Sequence, residues 1–227
     1  MKSEINIIIH GFGGSTAEIA YLADFLRAKG ANVHVVALAG HGGTKRRLAQ
    51  TTHSDWIASA RDQVAKLADI YDKINLMGFS MGGLISAHLA AEFGAEKIGK
   101  IVFINTPIYF WNVKIIAGDV MRRDTERIAY YANSASRVGA KSAVEFLRIL
   151  SRSKRLLARA DMPMPASLIL QCMDDESVRH KSAGYIKDRL GAAATLKYYE
   201  GGRHLIFTQN TALRDIVCGD IYSFINR

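Results

Sequence analysis

Residues 73–93 read KINLMGFSMGGLISAHLAAEF, and the fold turns on how this stretch is understood. Ile74 to Met77 is a short apolar run of the kind that forms a buried strand, and from Leu84 onward the apolar residues follow a helical period. Between them lies Gly78-Phe79-Ser80-Met81-Gly82, a G-x-S-x-G sequence at a strand-to-helix junction. Such a junction holds its serine on a tight, strained turn and lifts the hydroxyl out of the sheet. Glycine is needed because only a residue without Cβ lets helix and strand approach so closely. The first N–H groups of the helix then point at whatever Ser80 attacks. A Gly/Ser-rich pentapeptide is ordinarily a flexible loop; the strand that stops at Met77 and the helical period that starts at Leu84 argue against that here.

Working outward, Glu4 to Ile9 is an apolar run broken only by Asn6, and it leads straight into His10-Gly11-Phe12-Gly13-Gly14. A buried strand ending in a glycine loop is expected. Ser15 or Thr16 can cap the next helix, whose apolar face is Ile19, Leu22, Ala23 and Leu26, and Gly30 closes it. Val33 to Leu38 is expected as strand, Ala39 to Lys45 as loop, and Ser54 as the cap of a helix with Ile57, Ala60, Val64 and Leu67 on one face. After residues 73–93 comes a strand at Lys100 to Asn105. Up to residue 105 strand and helix alternate, which predicts a parallel sheet covered by helices on both faces. Ligands of such sheets bind beyond the carboxyl ends of the strands, so His10–Gly14 and Ser80 are expected on one edge.

Residues 106–165 break the alternation and read as helices over Ile115 to Tyr131, Ala140 to Leu150 and near Leu156. The segment holds eleven Lys/Arg against five Asp/Glu, so most of the chain's excess charge sits there. It is a candidate lid over the sheet edge. Its Tyr109, Phe110, Trp111, Ile115, Ile116, Tyr130 and Tyr131 would line an acyl pocket or form the insertion's own core. The sheet resumes with Ala166 to Cys172, followed by Met173-Asp174-Asp175-Glu176; His180 to Leu190 is helix; Thr195 to Tyr199 is strand, followed by Gly201-Gly202-Arg203-His204; Leu213 to Phe224 is the closing helix. The expected division is therefore a core of residues 1–105 and 166–227 with an insertion at 106–165.

Composition narrows the class. A chain of 227 residues, 49% hydrophobic and 22% charged, suits one globular domain with a substantial core. No apolar run reaches membrane-spanning length, and the apolar stretch after Lys2 is too short for a signal-peptide core, so the expected compartment is the cytoplasm. Cys172 and Cys218 read as reduced core residues. A net charge of +9 is compatible with contact to an anionic membrane surface, but no nucleic-acid-binding signature is present and a solvated basic surface is the plainer reading.

A serine hydroxyl needs a base, usually a histidine oriented by a carboxylate. Folds with a serine on such a turn supply these in the chain order serine, acid, histidine. Ser80, the acidic cluster at 174–176 and His204 follow that order, each in a loop after a strand. In HGFGGS, the Gly40-His41-Gly42 triplet, GFSMGG, the D-x-x-V of Asp175 to Val178 and the glycine–His204 loop, the chain resembles an α/β-hydrolase, and is most similar to small bacterial carboxylesterases and monoacylglycerol lipases. The resemblance spans almost the whole chain. It implies a mostly parallel sheet, here cut to about six strands because little precedes the first one. It selects Asp175 over Asp174 as the acid, and assigns the backbone N–H groups of Phe12 and Met81 to an oxyanion hole. It implies a small-molecule ester as substrate and no cofactor; thioesters, carbon–carbon bonds and a non-catalytic ligand receptor remain alternatives on the same fold. His10 and His41 are expected to brace loops. No histidine pair has zinc spacing with a third ligand, so no metal is expected. Arg203 departs from the pattern, which usually has a small residue before the histidine.

Overall fold

The computed structural model describes residues 3–110, 119–129, 132, 138–159, 164–209 and 211–227. Its centre is a six-stranded sheet, all parallel, made of β1 (Glu4–Ile9), β2 (Val33–Val36), β3 (Lys73–Phe79), β4 (Ile98–Ile104), β5 (Ala166–Cys172) and β6 (Ala194–Tyr199). The strand order is β2-β1-β3-β4-β5-β6. The inner strands are near-continuous apolar runs because helices cover both faces. Along β1 the faces alternate: Ile5, Ile7 and Ile9 join one core, Ile8 the other. On the first face lie α3 (His53–Ala68), α4 (Met81–Lys97), α5 (Ala140–Leu157) and α6 (Lys181–Leu190); on the second lie α1 (Ala20–Ala28) and α7 (Ala212–Ile225). A short α2 (Lys45–Leu48) follows the loop after β2.

The periodicities place the right residues inside. Ile19, Leu22, Ala23 and Leu26 are fully buried beneath the sheet, as are Trp56, Ala60 and Val64 of α3. Each large aliphatic side chain so buried contributes about 1.5–3 kcal/mol. Ser15 caps the 3-10 turn Thr16–Ile19 that opens α1. The cap of α3 is Thr52, not Ser54: the Thr52 side chain accepts from the Asp55 N–H while the Asp55 carboxylate accepts from the Thr52 N–H, a reciprocal box that fixes the helix start two residues earlier. The second strand ends at Val36 rather than Leu38, because the Leu38 and Ala39 N–H groups leave the ladder and donate to His10 Nε2 and Ser59 Oγ. Cys172 and Cys218 are buried free thiols in β5 and α7.

Within residues 106–165 the expected division at Leu150 is absent. Ala140–Leu157 is one helix, since Ser153, at the centre of the polar run, is buried and its hydroxyl bonds His88 Nε2 at 3.1 Å. The same helix docks on α3 through Glu145, which accepts from His53 N–H at 3.1 Å and from His53 Nδ1 at 2.6 Å. Phe146, Ile149 and Leu157 belong to the core that holds Trp56 and Leu84. The expected helix at Ile115 to Tyr131 is described only in part: residues 119–121 and 125–129 are helical, separated by Arg123 at φ 56°. Trp111, Ile115, Ile116, Tyr130 and Tyr131 lie outside the described residues.

Candidate active site

Ser80 follows the last residue of β3 and precedes the first of α4, with φ 52° and ψ −122°. For a side chain with a Cβ this is a strained conformation, and it persists only where the surroundings impose it. Two close approaches impose it. A Cβ on Gly78 would stand 2.2 Å from the Gly83 nitrogen, and one on Gly82 would stand 2.1 Å from the Ile9 carbonyl oxygen. Hydrogen bonds hold the turn from outside: Ser80 N–H donates to the Ile104 carbonyl at 2.8 Å at the end of β4. Asn105, one residue on, donates its own N–H to Leu170 of β5 at 2.9 Å, and Met173 after β5 donates to Tyr199 of β6 at 2.9 Å. Each strand end is thus tied to the next.

The loops after β5 and β6 bring the other two predicted residues to this point. His204 Nε2 lies 3.0 Å from Ser80 Oγ, and His204 Nδ1 lies 2.8 Å from Asp175 Oδ2. Asp175 is fully buried, and its carboxylate also accepts from Ser177 N–H at 2.8 Å, Val178 N–H at 2.7 Å and Gln171 Nε2 at 3.4 Å. Asp174 is exposed and points no carboxylate oxygen at His204 among the described hydrogen bonds. Burial is the largest single influence on His204 and opposes its protonation. The Asp175 carboxylate, by charge and by hydrogen bond, with Glu176 and Glu18 behind it, outweighs burial and holds the imidazole above its ordinary value.

The His10–Gly14 loop lies against the serine: a Cβ on Gly11 would stand 3.2 Å from Ser80 Cβ. Burial pushes the His10 imidazole down to about 4, so it is neutral. It donates Nδ1–H to the Gly11 carbonyl at 2.9 Å and accepts the Leu38 N–H at Nε2, stapling the loop to the end of β2. His41 bonds the Ala39 carbonyl through Nδ1 at 3.0 Å and packs on Trp56 and Phe12. Both histidines brace loops. Met81 opens α4, where backbone N–H groups have no intrahelical partner. The Phe12 ring stacks on Phe146 with centroids 4.8 Å apart; Phe110 packs on Phe146 at 5.2 Å and Trp56 on Phe12 at 5.4 Å. An aromatic wall therefore flanks the loop. Tyr109 turns away from it, between the ammonium groups of Lys154 and Lys181.

Asn105 and Asp119 escape a reading of the sequence alone, and Glu176 and Arg203, visible there, gain their partners only in the structure. Asn105, at φ 46°, accepts from Cys172 N–H at 2.8 Å and donates to the His204 carbonyl at 3.0 Å, joining β4, β5 and the histidine loop. Its only signal is an Asn closing an apolar strand, a residue type that tolerates positive φ. Glu176 accepts the His204 N–H at 3.4 Å. Arg203 makes a two-point ion pair with Asp119, which is fully buried. No sequence signal links residues so far apart. Among the described residues no group of three His, Cys, Asp or Glu could hold a metal ion, and no helix is long and apolar enough to cross a membrane.

A parallel sheet with a serine elbow and a hydrogen-bonded histidine and carboxylate at its strand ends defines the hydrolase class of α/β proteins. The sequence profile of the alpha/beta hydrolase fold matches residues 7–166, well over half of the chain, and the protein belongs to that family. It is 25% identical to a carboxylesterase of Bacillus subtilis (strain 168) over 231 residues, which covers 97% of this chain and 92% of the relative. It is 25% identical to a thermostable monoacylglycerol lipase of Bacillus sp. (strain H-257) over 171 residues, covering 69% of this chain and 66% of that one. Among solved structures, one from the metagenome-derived lipolytic enzymes LipS and LipT superposes with a TM-score of 0.78 at 22% identity, covering 99% of this chain and 94% of that one.

Proposed function

We propose that the protein is a serine hydrolase of carboxylic esters, with Ser80 as nucleophile, His204 as general base and acid, and Asp175 as the group that orients His204. The observation that carries this reading is the line from Asp175 Oδ2 through His204 to Ser80 Oγ, 2.8 and 3.0 Å long. Neutral His204 keeps its proton on Nδ1, facing Asp175, and offers the Nε2 lone pair to the serine. Ser80 Oγ attacks the ester carbonyl as Nε2 takes its proton. The backbone N–H groups of Phe12 and Met81 hold the oxyanion. Collapse of the intermediate expels the alcohol, protonated by His204. Water, deprotonated by His204, then attacks the acyl-enzyme, releases the carboxylic acid and returns Ser80 to its hydroxyl.

The aromatic wall of Phe12, Phe110 and Phe146 suits an apolar acyl group, and the relatives are named for carboxylic and monoacylglycerol esters, so the substrate is a short- to medium-chain acyl ester or a monoacylglycerol. In this reading residues 106–165 cap the site and 1–105 with 166–227 are the core; the Phe110–Val178 bridge and the Asp119–Arg203 pair join described parts of the insertion to the loops after β5 and β6. Two unpaired buried thiols suit the reducing cytoplasm. The test is Ser80→Ala against a panel of chromogenic esters of increasing acyl length, with a thioester alongside and a fluorophosphonate probe. The wild type is expected to be labelled at Ser80 and to favour oxygen esters. The variant is expected to be unlabelled, to lose about 10³-fold or more in kcat and to melt no lower than wild type. Wild-type turnover in the variant would remove Ser80 from the reaction.

A further inference from the structure

Arg203, the departure next to the histidine, is engaged on both sides. Its Nη1 lies 2.9 Å from Asp119 Oδ2 and its Nη2 3.2 Å from Asp119 Oδ1, a fork that joins the histidine loop to the insertion. Its Nη1 also lies 3.8 Å from Glu176 Oε2, the oxygen that accepts the His204 N–H. Asp119 is fully buried and takes a second cation, Arg122, at 2.6 Å. Among the described residues, the carboxylates acting on His204 are Asp175 and Glu176 after β5 and Glu18 beside the His10–Gly14 loop; Arg203 precedes the histidine, and Asp119 and Arg122 of the insertion join through Arg203. Of these two described guanidinium groups, Arg122 has a side chain 67% exposed and Arg203 one 16% exposed, so Arg203 is the more buried cation.

We propose that Arg203 and Asp119 are positioning residues for His204: the two-point contact clasps the histidine loop to the insertion, and its charge offsets the carboxylates around the imidazole. The proposal rests on His204 being the base of the Ser80 reaction. Removing Arg203 leaves Glu176 without its guanidinium neighbour and Asp119 with Arg122 alone, which favours the imidazolium. Removing the Asp119 charge turns Arg203 toward Glu176 with its charge unmatched, which favours the neutral ring.

The test follows the His204 imidazole by histidine-selective carbon-13 NMR in the full chain, the signal assigned by its loss in His204→Asn, alongside the pH dependence of kcat/KM on a chromogenic ester. Arg203→Gln is expected to raise the His204 midpoint by about one pH unit and Asp119→Asn to lower it by about as much, with the double variant within about 0.3 unit of wild type. Arg203→Lys is expected to keep the midpoint and lower kcat, because an ammonium retains the charge without the fork. Single variants whose midpoints stay at the wild-type value, or move in the same direction, would reduce the pair to a fold contact and overturn the proposal. If Arg203→Gln fails to fold, an unmoved midpoint in Asp119→Asn has the same force. The NMR titration needs no turnover. Midpoints that move as expected in a protein that cleaves no ester would therefore refute the ester-hydrolase reading while leaving the electrostatic coupling of the pair to His204.

Discussion

Replacing Asn105 by Ala tests whether the site is held together from behind the catalytic groups. Asn105 touches neither Ser80 Oγ nor the His204 ring among the described hydrogen bonds, yet its side chain accepts from Cys172 N–H at 2.8 Å and donates to the His204 carbonyl at 3.0 Å. Both partners are buried, and Ala leaves each without its bond, at about 1–2 kcal/mol apiece. Ala must also adopt φ 46°, where Asn is tolerated far better, for about 1 kcal/mol more. The sum is about 3–5 kcal/mol, measurable as a shift in the guanidinium midpoint at constant m-value. Asn105→Gly removes the same bonds without the backbone strain, so it should recover about 1 kcal/mol of that loss. Freed from Asn105, the His204 loop shifts relative to Ser80, and a displacement near 1 Å costs about 10²-fold in kcat with KM little changed. A variant that unfolds within about 1 kcal/mol of wild type and keeps its kcat would show that the histidine loop does not depend on this residue.

Asp175→Asn should lower kcat by about three orders of magnitude or more, while Asp174→Asn stays within about twofold, because only Asp175 reaches the imidazole; steady-state kinetics on one ester separates them. The pH profile of kcat/KM should rise through an acid limb centred above the ordinary imidazole value, since in the proposed mechanism His204 acts as the neutral base and the Asp175 carboxylate holds the imidazolium proton more tightly. The same shift stabilises the fold at low pH and that contribution is lost as pH rises through the raised midpoint, so chemical denaturation of Asp175→Asn should show a smaller loss over that window. Cys172 and Cys218, each pushed up to about 12 by burial, should resist thiol reagents in the native state and react together on unfolding, which a colorimetric thiol assay reads directly.

Most of the sheet was legible because its strands are buried on both faces and therefore appear as unbroken apolar runs, as at Ile74 to Met77. The elbow was legible because steric necessity writes glycines into the chain at 78 and 82. Polar partners were not. Glu145 and His53 stand 92 positions apart, and Arg203 and Asp119 stand 84 apart; no local period records such a pairing. The helix Ala140–Leu157 looked interrupted at Ser151-Arg152-Ser153-Lys154 because a buried Ser bonded to His88 has the same letter as an exposed one. Asp174 and Asp175 are the same residue type side by side; the spacing to Val178 favoured the second, and the turn that buries Asp175 supplies the physical difference.

The ties that run from Ser80 to Ile104, from Asn105 to Leu170 and from Met173 to Tyr199 form a staircase across the sheet. The tension in the serine turn is therefore anchored stepwise as far as the strand at Ala194–Tyr199, at the sheet's far edge. On the proposed mechanism, damage out there, in residues remote from Ser80, would slacken the serine turn before it unfolded the protein, and loss of activity would run ahead of loss of structure.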